Sequence, residues 1–229
     1  MSSPNGVRRR GPQRRGIETR ARILDAAGQV FLEKGYSGTG VADLIFAADV
    51  SKGAFYGHFK GKLDVAKAIM DNTLSMDGLV PQRIKLQEVV DIGLILAHRV
   101  TESALLAALT LSFHHDAREI YGTPWPNWIE FNTAQLTEAQ VRGEVRPHVD
   151  PRDFAYQIAG AWAGIVFTGR AIDGDLRNVA ERISFSYRSL MAVIAQPEVL
   201  PYMDFSEGRG ERLFLKTVDA KASSTSAST

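Results

Sequence analysis

Lys52, Gly53, Tyr56 and His58 bring a cation, a position without a side chain, a phenol and an imidazole close together in the chain. Phe55 and Phe59 lie four residues apart, a spacing that turns both rings inward on a helical segment. The four polar or small positions are then left on the outer surface. That combination can neutralise a phosphate, admit a close backbone approach and hydrogen-bond to base edges, which is the chemistry of docking into a DNA groove.

The elements that must hold these groups can be read from the flanking residues. Val41, Leu44, Ile45 and Ala48 recur at helical spacing and give a first short helix one apolar face. Ser51 restarts the chain as an N-cap whose hydroxyl accepts from the Ala54 N–H. Val50 and Phe55 have the spacing of a hydrophobic staple around that cap. Upstream, Ile23, Leu24, Ala27, Val30 and Phe31 form a stripe that predicts a helix over 17–34, ended by Gly35. The reading is a three-helix DNA-binding unit over residues 17–62. The charge agrees: up to Lys62 there are 11 Lys+Arg against 5 Asp+Glu, and beyond it 16 against 21. A basic segment coinciding with a groove-binding motif is what phosphate neutralisation requires.

Residues 1–16 carry Arg8, Arg9, Arg10, Arg14 and Arg15 among Gly, Pro and Ser, with no apolar periodicity. They are expected to be a disordered basic arm. Such an arm follows the DNA backbone or enters a minor groove, or else simply solubilises the chain.

Beyond Lys62 the periodicity predicts further helices over about 62–77, 82–99, 102–115, 126–142, 152–172 and 175–196. Gly122 to Pro126 forms a rigid loop. The fold class is all-α: a helix-turn-helix unit, a larger helical ligand-binding and dimerisation domain over 63–200, and a flexible tail over 201–229. Ala159, Gly160, Ala163 and Gly164 let two helices approach closely, and the last two helices carry more apolar residues than one stripe needs. The simplest use is a two-fold homodimer through a four-helix interface.

Composition removes several classes of function. With no cysteine there is neither a disulfide framework nor a thiolate metal site. No apolar run reaches the ~18–20 residues of a membrane helix, and the charged N-terminus lacks the apolar segment of a secretory signal. The expected location is the cytoplasm, with no membrane partner. No Gly-x-Ser-x-Gly, phosphate loop or dinucleotide glycine pattern is present, so no enzyme and no cofactor is expected. In His114-His115-Asp116 the two imidazoles are adjacent, about 100° apart on a helix, and cannot easily chelate one ion.

The stretch GYSGTGVADLIFAADVSKGAFYGHFKGKLDVAKAI, from Gly35 to Ile69, resembles the DNA-binding domain of TetR-type transcriptional regulators. Thr19 to Tyr36 is similar to that family's first helix. The resemblance implies that Lys52 and Gly53 open the recognition helix nearest the bases. Tyr56 and His58 would touch phosphates or base edges, Lys62 would hold a phosphate, and Ser51 caps the helix. Three positions depart from the family pattern. Gly40 replaces the usual Thr or Ser, which moves the expected hydroxyl contact to Thr39 or loses it. Asp49 replaces a turn glycine, and Gly57 replaces a larger residue.

A Pro-rich loop running into a Trp-bearing helix, Pro124-Trp125-Pro126-Asn127-Trp128-Ile129-Glu130, resembles the γ-butyrolactone receptor branch of the same family. So does Ala163-Gly164-Ile165 in a later helix. The resemblance implies that Trp128 packs against a small effector of butyrolactone, butenolide or furan type. Ile92, Ile95, Phe113, Phe131, Trp162 and Ile165 are the candidate walls. His98, Thr110, Gln135 and the Trp128 indole N–H are the candidate polar groups. The expected function is a dimeric repressor on a near-palindromic operator, released by that effector and controlling antibiotic or specialised metabolism. The alternative is a pseudo-receptor or drug-responsive repressor that senses an antibiotic or an intermediate and controls export or biosynthesis.

Overall fold

The computed structural model describes residues 12–227 except 73–75, 77, 115 and 116; side chains are described from Arg15 to Ala220, with 72, 103, 218 and 219 also excepted. The helices run in order α1 Pro12–Gly38, α2 Val41–Ala47, α3 Lys52–Tyr56, α4 Lys62–Asn72, α5 Lys85–Arg99, α6 Ser103–Ser112, α7 Ala117–Ile120, α8 Trp125–Val141, α9 Pro151–Asp173, α10 Val179–Ile194 and α11 Arg209–Ala227. Among the described residues, extended pairing is confined to a single antiparallel bridge between Val145 and Ala195. The all-α expectation is met.

The chain divides into two compact units. The first comprises residues 1–71 and 103–122, the second 72–102 and 123–229. The expected boundary at residue 62 is therefore displaced, because α6 and α7 return to the first unit. There Ile23, Ala27, Phe31, Leu44, Phe55, Phe59, Val65 and Ile69 share one core with Ala107, Ala108 and Leu111. The stripe read from α1 is this core's wall. Gly35 interrupts α1 at φ 67°, a left-handed conformation that glycine adopts without penalty.

Two expectations about the chain ends are corrected. Residues 12–16 are helical, where a disordered arm over 1–16 was expected. Pro12 stands at the start of α1, where its fixed φ suits the first turn and its missing N–H costs nothing. Residues 1–11, and with them Arg8, Arg9 and Arg10, lie outside the described residues.

The segment over 201–229, expected as a flexible tail, contains α11. In the second unit, α11 is tied to α5. Arg209 grips the fully buried Asp91 through two bonds, Nε to Oδ1 at 2.6 Å and Nη2 to Oδ2 at 2.9 Å. Gln87 donates to the same carboxylate at 2.7 Å and to the Asp204 carbonyl at 2.9 Å. Gly210 then lies on the α5 backbone, where a Cβ would stand 2.1 Å from the Leu94 carbonyl oxygen. The first turn of α5 is capped at long range by Glu144, whose two carboxylate oxygens accept the Lys85 N–H at 3.0 Å and the Leu86 N–H at 2.8 Å.

Candidate nucleic-acid interface and effector site

α2, a turn and α3 form the helix-turn-helix. Ser51 caps α3 as its sequence position requires, accepting the Ala54 N–H at 3.1 Å. Phe55 and Phe59 are buried, with ring centroids 6.0 Å apart, and Val50 packs against the same core. The outward residues follow: Lys52 and Gly53 are exposed, Tyr56 is half-exposed and His58 is partly exposed. A Cβ on Gly53 would meet nothing within 4 Å, so the fold itself does not require glycine there. The turn passes through Asp49 at φ 48°, where it stands in for a glycine. Asp is among the few residues that enter this region readily.

The cap of α2 differs from expectation. Gly40 has no side chain to offer, so Asp43 reaches back and accepts the Gly40 N–H at 2.7 Å. Its other oxygen accepts from Lys34 at 2.8 Å. The Lys34 hydrogen bond, with the Gly40 N–H beside it, holds the Asp43 carboxyl below its ordinary value of 3.8.

Thr39 does not take over the missing hydroxyl contact. It is 2 % exposed, and its hydroxyl donates to the Gly35 carbonyl at 2.7 Å. Lys62 also has work inside the protein. Its ammonium donates to the carbonyls of Tyr36 and Thr39, each at 2.9 Å, and lies 4.5 Å from the Tyr36 ring centroid. Tyr36 in turn packs on Tyr121 at 5.0 Å, and the Tyr121 hydroxyl donates to the Leu111 carbonyl at 3.0 Å. Thr39 and Lys62 thus fix the frame around the recognition helix. Arg15 stands exposed in the first turns of α1; Arg14 shares that turn, and its side chain is outside the described residues.

In the second unit, Trp128 from α8 and Trp162 from α9 are buried with ring centroids 5.3 Å apart. Trp162 donates its indole N–H to the Gly93 carbonyl at 3.0 Å. The Trp128 indole N–H and Gln135 Oε1 are buried without a hydrogen-bond partner, as are Asn132 Oδ1, Tyr187 Oη and Thr123 Oγ1. Burial pushes the Tyr187 phenol above its ordinary pKa, so it remains an O–H group. Ile92 is buried and Phe131 is partly exposed.

The other expected pocket residues have the following surroundings. Ile95 turns toward Gly78, where a Cβ would meet its Cδ1 at 3.2 Å. His98 faces Phe214 of α11 at 5.7 Å. Ile165 lines an open groove with Ala161, Gly164, Thr168, Ile172, Arg182 and Ser186. Phe113 and Thr110 belong to the first unit, Phe113 being 60 % exposed and Thr110 bonded to the Leu106 carbonyl at 2.8 Å. Asn132 and Tyr187 escaped the sequence reading. Asn132 falls between Trp128 and Gln135 on one face of α8, a signal that was available; Tyr187 gave none. Of His114-His115-Asp116, the last two lie outside the described residues.

Along α9, Tyr156, Gly160, Gly164, Thr168 and Ile172 recur every four residues and are all exposed, as are Phe185 and Val193 on α10. A Cβ on Gly160 or Gly164 would meet nothing within 4 Å.

A helix-turn-helix joined to a helical unit with a buried aromatic pair defines a DNA-binding transcriptional regulator. Residues 23–69 match the model of the bacterial regulatory proteins of the tetR family. The A-factor receptor protein of Streptomyces griseus is 32% identical over 199 residues, covering 86% of this chain and 71% of that protein. The chain belongs to the TetR family of transcriptional regulators. Among solved structures, full-length native TylP, a TetR regulator from Streptomyces fradiae, superposes with a TM-score of 0.80 at 28% identity, covering 89% of this chain and 99% of that one. A γ-butyrolactone receptor described as ArpA-like shares the fold with a TM-score of 0.66 at 23% identity, covering 89% of this chain and 99% of that one.

Proposed function

We propose that the protein is a homodimeric repressor that binds a near-palindromic operator and is released by a small γ-butyrolactone, butenolide or furan-type effector. Lys52, Gly53, Tyr56 and His58 enter the major groove, with Ser51 holding the start of the recognition helix and Arg14 and Arg15 adding phosphate contacts. The exposed Tyr156-to-Ile172 ridge of α9, with α10 beside it, forms the subunit interface and brings two recognition helices onto successive half-sites.

One observation carries the ligand-responsive part: the buried Trp128–Trp162 pair leaves the Trp128 indole N–H without a partner in the protein. An apolar wall with a free donor suits a small lactone or furan whose carbonyl oxygen accepts one bond. The extended similarity to the A-factor receptor protein supports the same reading. Release requires the effector to bind the DNA-incompetent state more tightly; a hundredfold preference corresponds to about 2.7 kcal/mol of coupling.

The test uses the full-length protein on duplex DNA from the promoter beside its own gene, titrated with lactones, butenolides and furan acids. Lys52→Ala should weaken operator binding and lower the slope of log K against log salt by about 1.8 for the dimer, ~0.9 from each subunit. Trp128→Ala should keep operator binding and lose effector-induced release. Unchanged release in Trp128→Ala at the same effector concentration would sink the pocket assignment.

A further inference from the structure

We propose that Phe214 of α11 is a positioning residue for DNA binding. Within the second unit it clasps two of the chain segments that run into the first unit, and so carries changes at the operator into α11 and α5. The proposal rests on the operator-binding reading of the first unit.

The chain passes between the two units after residues 71, 102 and 122. Gly78 follows the first of these crossings, and His98 and Arg99 precede the second. All three meet Phe214. Gly78 takes a left-handed φ of 95°, and a Cβ there would stand 3.1 Å from the Phe214 Cα and 3.2 Å from its backbone N. Glycine serves there both for its backbone angle and for its closeness to α11. From α5, the His98 ring centroid lies 5.7 Å from that of Phe214, and the Arg99 guanidinium carbon lies 5.5 Å from the same centroid. Arg99 in turn donates through Nε and Nη2, each at 3.2 Å, to the carboxylate of Glu102, the last residue before the crossing.

The helix that carries Phe214 is held in register. Arg209 grips Asp91, and Gly210 sits on the Leu94 carbonyl. Gly210 and Phe214 lie four apart, on one face of α11. Coupling between distant sites is carried by packed side chains and rigid elements. A crossing on its own absorbs a shift in its loop backbone. Two crossings pinned to one residue shift together, and move α11 and α5 with them. By reciprocity, a ligand that fixes the first unit also steadies α11.

Backbone hydrogen exchange of the full-length protein, with and without duplex DNA from the promoter beside its own gene, tests this. In wild type the DNA should slow exchange of the α11 amides over 211–217 by about fivefold or more, the lower end of ordinary coupling between sites. Phe214→Ala should still bind the DNA and keep the slowing at α3, but lose it at α11. Phe214→Leu keeps an apolar side chain and lacks the ring that meets His98 and Arg99. It should show the same loss, and it serves where Phe214→Ala does not fold. Slowing at α3 without slowing at α11 in wild type overturns the proposal. So does slowing at α11 that survives in a folded variant, because direct shielding by DNA would leave it in place. If wild type neither binds this DNA nor slows at α3, the operator reading itself fails and the proposal falls with it.

Discussion

The ammonium of Lys62 lies 4.5 Å from the ring centroid of Tyr36 and donates to the carbonyl of that same residue at 2.9 Å. With its second bond, to the Thr39 carbonyl, it ties the start of α4 to the far side of the Gly35 break. The loop entering α2 is thereby fixed, and with it the seat of the recognition helix.

Lys62→Met should therefore act first on stability. Bonds from a charged donor to partly buried carbonyls contribute about 1.5–3 kcal/mol, and the cation–π contact adds to this. The thermal midpoint should fall, and operator affinity with it. The salt dependence of binding should change by less than in Lys52→Ala, because two of the three ammonium protons face the protein. An equal loss of salt slope in the two variants would reassign Lys62 to the DNA backbone.

Asp49 holds a left-handed turn at φ 48° that glycine would hold without steric cost. Asp49→Gly should relieve backbone strain of ~1 kcal/mol and raise the thermal midpoint. Removing a carboxylate beside the recognition helix should also tighten operator binding severalfold at low salt. Calorimetry and a salt titration of operator affinity check the two effects separately.

Arg209 neutralises a carboxylate that has no exposure of its own. Arg209→Ala strands Asp91 in the core, which costs about 3–5 kcal/mol in comparable buried pairs. The double variant Asp91→Leu/Arg209→Met should recover most of that loss. Denaturant unfolding of the two variants measures the difference.

Asp43 makes the first unit acid-sensitive. Its folded carboxyl lies below the ordinary 3.8, held there by the Lys34 bond first and the Gly40 N–H second. A depressed pKa stabilises the fold at pH values above 3.8 and loses that contribution as pH falls through the folded value. Asp43→Asn should flatten this part of the acid limb in a plot of thermal midpoint against pH.

The helix-turn-helix was legible because its determinants are local. The Ser51 cap, the Val50–Phe55 spacing and the Phe55/Phe59 pair each lie within five residues, and the structure shows all of them engaged. The bonds of Lys62 were not legible, because its partners are backbone carbonyls 26 and 23 residues away, which no side-chain pattern reveals. α11 was missed for a related reason. Its anchors are an ion pair spanning 118 residues and a backbone contact through Gly210. Neither leaves a periodic trace in a segment rich in Ser, Thr and Ala.

The division of the chain at 71, 103 and 122 bears on how the molecule is made. When α4 leaves the ribosome, the helix-turn-helix is complete as a sequence but not as a core. Tyr36 still lacks Tyr121, and α1 still lacks Ala107, Ala108 and Leu111. A fragment cut after residue 71 would expose that seam. The first unit is thus a discontinuous domain that cannot be excised as one contiguous piece, and in the nascent chain its core is complete only after residues 72–102, with α5, have been made.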